Sequence, residues 1–157
     1  MMKKFSLGMC FAAVAAVFAI ISLIVYNVNV GGEGYFQNAT INNLVLFCVL
    51  AALALIAAIA LNFVEVPDGP VSIAVNLVTG ALQIVAPALL ALCLINLIAG
   101  RAAGLGFIYF SNEDVLLEVQ TPENMASASG AIASMVVLGI STVVGIIASF
   151  VNIKKSA

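Results

Sequence analysis

Histidine and tryptophan are absent from these 157 residues, and only 8% of the side chains are charged. Without histidine, Ser-His and Cys-His nucleophile pairs and histidine-held metals are excluded. Five Lys and Arg stand against seven Asp and Glu, with no basic run longer than Lys3-Lys4 and Lys154-Lys155, which is too little for a nucleic-acid footprint. Cys10, Cys48 and Cys93 all fall inside apolar runs, so they form neither a disulfide framework nor a ligand set and read as small buried hydrophobes. No enzyme activity, cofactor or metal site is expected.

What is present is apolar. Hydrophobic residues make up 64% of the chain and the mean hydropathy is +1.26, where a soluble domain is about half apolar and about a quarter charged. The few charges divide the sequence into uncharged stretches, Phe5 to Gly32, Gly34 to Val64, Gly69 to Gly100 and Asn124 to Ile153, each longer than the roughly 20 residues that cross a hydrocarbon core. Lipid offers the backbone no hydrogen bonds, so each stretch must be helical. The reading is a single all-α membrane domain, a four-transmembrane-helix bundle with spans near 7–26, 41–61, 71–99 and 122–153.

Orientation follows from the bases. Lys3 and Lys4 precede the first span and Lys154 and Lys155 follow the last, while the opposite loops carry Arg101 against Glu33, Glu113, Asp114, Glu118 and Glu123. The positive-inside rule puts both termini in the cytoplasm. A multi-pass protein of a bacterial-type cytoplasmic membrane is expected.

The connections differ in kind. Val66-Pro67-Asp68-Gly69-Pro70 is dense in turn formers and predicts a tight inner hairpin between spans two and three. The extracytoplasmic loop 100–121 contains two short runs, Phe107 to Phe110 and Val115 to Val119, that read as a small β-hairpin about Ser111 to Asp114. Thr121-Pro122-Glu123 then makes a helix start, with Thr121 as cap. Asn38-Ala39-Thr40 fits a glycosylation tripeptide, although capping of the second helix by Asn38 or Thr40 is the plainer use. The pairs Tyr35-Phe36 and Tyr109-Phe110 suggest either two duplicated hairpins or an aromatic belt at headgroup level.

Three groups of residues are candidates for function. Gly130, Ser134, Ser141, Gly145 and Ser149 recur at small-x-x-x-small spacing in span four, a pattern that serves helix packing within one bundle or an oligomer face. Gln83 and Asn96 in span three, with Pro87 one turn from Gln83, form a possible polar notch. Tyr109, Phe110, Glu113 and Asp114 belong to the outer loop, a possible interaction surface. No ionisable residue falls within the expected hydrocarbon zone, which argues against ion-coupled transport.

Four spans with short outer loops resemble in general plan the tetraspan families, such as the claudins and the MARVEL-domain proteins. The first outer loop lacks the Trp and two Cys of the claudin pattern, and no site residue is carried over. The partners expected are the bilayer and either a second copy or another membrane protein. The reading that follows is a non-catalytic protein acting by association, as scaffold or accessory subunit. The alternative is an oligomeric channel or facilitator for a small neutral solute, with Gln83, Asn96 and Ser141 along a wet path.

Overall fold

The structure is a computed structural model that describes residues 6–64 and 69–151. Both lysine pairs and residues 65–68 of the inner turn, on which the expected orientation and tight hairpin rest, lie outside the described residues. Five helices follow in order: α1 Leu7–Gly31, α2 Leu44–Phe63, α3 Pro70–Phe110, α4 Glu113–Val119 and α5 Pro122–Phe150. All but α4 are long and apolar enough to cross a membrane.

Side chains cap the starts of α1, α4 and α5. Ser6 caps α1, its Oγ accepting from the Met9 N–H at 3.2 Å, and Thr121 caps α5 in the same way at 3.3 Å from the Asn124 N–H, with Pro122 in the first turn. α2 starts after Asn43, in the left-handed region at φ 60° and without a side-chain cap. Capping of α2 by Asn38 or Thr40 is therefore corrected.

The bundle is a closed square. α1 packs on α2 and α5, and α3 packs on α2 and α5. Its interior is built from small residues, Ala12, Ala15, Ala19, Ala51 and Ala58, that let backbones approach, with Leu55, Leu90, Leu97 and Leu138 filling between them. Large side chains such as Ile24, Leu53, Leu77 and Ile95 point outward, as lipid-facing positions do. Cys48 and Cys93 are buried as expected, whereas Cys10 is exposed on the outer face of α1.

The expected β-hairpin is not formed, and the described residues contain no strand. Phe107 to Phe110 is the last turn of α3, and Val115 to Val119 lies in α4. Asn112 explains the difference: its Oδ1 accepts from the Val115 N–H at 3.0 Å, and Glu113 and Asp114 occupy the first turn, so Asn112-Glu113-Asp114 opens a helix instead of turning a hairpin. Residues 100–110, expected in the loop, extend α3 to 41 residues. At ~1.5 Å per residue that is about 60 Å, roughly twice the hydrocarbon thickness.

Candidate functional site

The end of the bundle that carries loop 32–43 and α4 is where polar chemistry concentrates. Loop 32–43 is held by one side chain from each of three helices. Tyr26 of α1 accepts from the Ile41 N–H through its hydroxyl at 2.7 Å, Arg101 of α3 donates from Nη2 to the Ala39 carbonyl at 2.7 Å, and Ser127 of α5 accepts from the Phe36 N–H at 3.0 Å. Asn29, in the last turns of α1, donates from Nδ2 to the Ser127 carbonyl at 2.7 Å.

Arg101 is the residue that the sequence reading misplaced. Expected in an outer loop, it is 2% exposed within α3, with its guanidinium 4.5 Å from the centroid of the Phe36 ring and 5.8 Å from that of Tyr26. No carboxylate pairs with it among the described residues, and its Nε is buried without a partner. Aromatic faces take the place of a counter-ion, which suits the weakly hydrated, planar guanidinium better than an ammonium.

Glycines make the close packing at this end possible. A Cβ on Gly104 would lie 2.6 Å from the Phe36 and Tyr35 rings, and one on Gly34 would lie 2.5 Å from the Glu123 carbonyl oxygen. Gly34 also has φ +116°, a conformation that L side chains rarely adopt. The Phe36 ring is in turn packed with Ile108, Ala128 and Ala131 in a second small core, joined by Tyr109 and Val119.

The small-residue series of α5 lies mostly inside the bundle. Ser141 is fully buried and donates to the Ala15 carbonyl of α1 at 2.8 Å, the Ser134 hydroxyl donates to the Gly130 carbonyl at 2.9 Å, and the Ser22 hydroxyl of α1 donates to the Ser134 carbonyl at 3.4 Å. Gly145 faces Pro87 and Leu90 of α3, and Gly130 faces Asn29, whose Nδ2 a Cβ there would meet at 2.5 Å. Ser149 is partly exposed and bonds only to the Ile146 carbonyl.

Gln83 and Asn96 are not brought together. Gln83 is partly buried with its Nε2 sealed and unpartnered, whereas Asn96 is exposed on the outward face of α3. Ser141 points into the packed interior, away from Asn96. In the outer segment Tyr109 is partly buried, while Phe110 is 87% exposed beside Glu113 and Asp114 on the surface. The two Tyr-Phe pairs thus sit in unlike settings, since Phe36 is buried in the loop and Phe110 ends a helix.

No protein family model, curated protein or solved structure matches the chain.

Proposed function

We propose that this protein is a non-catalytic integral membrane protein that works by association, self-assembling through the outward face of α3, with both termini in the cytoplasm of a bacterial-type cell membrane. The observation that supports the reading is Asn96. Its amide is exposed on the side of α3 that faces away from the bundle and has no hydrogen-bond partner among the described residues. It lies five residues on the bilayer side of Arg101, about 7.5 Å along the helix. Ala88, Leu92, Ala99 and Ala103 recur with it at every third or fourth position and are likewise exposed. A polar amide on an outward stripe with three alanines and one leucine gains a partner when a second helix is laid against it, a contact worth about 1 kcal/mol per hydrogen bond.

The α5 series offers less for assembly, because Gly130, Ser134, Ser141 and Gly145 are already engaged with α1 and α3. The test is the mass of the complex extracted into lipid discs. A homo-oligomer in the native chain and a monomer of unchanged thermal stability in Asn96→Leu are expected. A fixed-stoichiometry complex with a second membrane protein would make the chain an accessory subunit instead, and a monomer with no companion would overturn the proposal.

A further inference from the structure

A groove of about 330 Å³ runs along the outer surface between α1 and α5 at the loop end of the bundle. Its lower wall is apolar, formed by Ile24, Val25 and Val28, and its upper part carries Asn29, Glu33 and Ser127. Gly32, Ala126 and Gly130 leave the depression open because they lack bulk, and a Cβ on Gly130 would meet the Asn29 Nδ2 at 2.5 Å. From Ile24 to Gly31, the last residue of α1, is seven residues, about 10 Å along the helix axis, and Glu33 lies just beyond the helix end. The sequence of surfaces, apolar toward the bilayer and polar toward its edge, is the profile of an amphiphile lying beside the protein in one leaflet.

The polar end has a definite chemistry. Asn29 is 7% exposed, and its Nδ2 is committed to the Ser127 carbonyl. Asn29 lines the groove, and its Oδ1 accepts no hydrogen bond among the described residues. Glu33 is exposed at the same end, and the backbone of Glu123 lies against Gly34 next to it. The one base nearby, Arg101, is turned inward to Ala39 and Phe36. The mouth therefore presents acceptors and negative charge with no accessible donor of positive charge among the described residues.

We infer that this groove binds a phospholipid bearing a primary amine, of the phosphatidylethanolamine class, with the upper part of one acyl chain against Ile24, Val25 and Val28 and the ammonium between Glu33 and the Asn29 Oδ1. A primary ammonium donates three hydrogen bonds and carries the charge that Glu33 complements, whereas a quaternary choline has no N–H to give and an anionic headgroup meets repulsion. The volume is at the lower end of the roughly 300–1,000 Å³ of small-molecule sites, enough for a headgroup and part of one chain. A transmembrane helix, about 10 Å across, does not fit it.

The test is native mass spectrometry of the full chain, released from mild detergent with equal amounts of phosphatidylethanolamine, phosphatidylcholine and phosphatidylglycerol of matched chains. Retention of one phosphatidylethanolamine, at least severalfold above the other two, is expected. Glu33→Gln should remove most of that preference, and Ala126→Phe, which fills the groove from an exposed position, should abolish retention, both at unchanged thermal stability. Equal retention of the three lipids, preference for phosphatidylglycerol, or a preference that survives Glu33→Gln would overturn the site. Should Ala126→Phe fail to fold, Glu33→Gln alone decides the matter.

Discussion

The Arg101 guanidinium stands 4.5 Å from the Phe36 ring centroid, so a cation of α3 and an aromatic of loop 32–43 are joined without a carboxylate. The same guanidinium holds the Ala39 carbonyl. One side chain thus fixes the loop by two different interactions.

Arg101→Lys should therefore be far from conservative. An ammonium is strongly hydrated and cannot stack on Phe36 while reaching Ala39, so a loss of about 1–3 kcal/mol is expected in thermal unfolding, together with faster limited proteolysis within loop 32–43. A lysine variant as stable and as resistant as the native chain would show that neither contact matters.

Two glycines should respond in opposite senses to alanine. At Gly34 the positive φ and the 2.5 Å approach to the Glu123 carbonyl predict a destabilisation of about 2 kcal/mol or more. Gly106, inside α3 with nothing within 4 Å of a new Cβ, should gain up to about 1 kcal/mol. Melting curves of the two variants side by side check both signs.

Gln83→Leu should stabilise the bundle by about 1–2 kcal/mol, because it removes a sealed, unpartnered Nε2 from the interior at similar volume. Loss of stability would mean that the amide has a partner in the membrane, such as a bound water.

Gly145→Leu should lower the melting temperature of the single bundle. The site has room for a methyl group, 3.4 Å from the Pro87 Cβ, but not for a branched chain wedged between α5 and α3. Chemical crosslinking before and after mild heating separates this outcome from one in which only assembly is lost.

The four long apolar helices could be read directly, because runs of apolar residues longer than a hydrocarbon core is thick leave little choice, and Thr121-Pro122-Glu123 announces its helix. The end of α3 was lost for a specific reason. A single charge does not end this span, because Leu90, Cys93, Leu97, Arg101, Gly104 and Ile108 continue one buried stripe at spacings of three and four, a rhythm present in the sequence. Asn112, three residues before Val115 and followed by two acids, was likewise a helix start mistaken for a turn. The partners of Arg101 had no such signal, since Phe36, Ala39 and Tyr26 come from segments far away along the chain.

Of the four long helices α2 is the shortest, at 20 residues, and its neighbour α3 is twice as long. Its leading end is tethered through loop 32–43 to three other helices, so α2 has little freedom to tilt on its own. A helix shorter than the hydrocarbon core is accommodated by thinning of the surrounding lipid, at a fraction of a kcal/mol per Å. At about 30 Å, α2 is the long helix with the least length to spare across a hydrocarbon core, so any mismatch falls on it first.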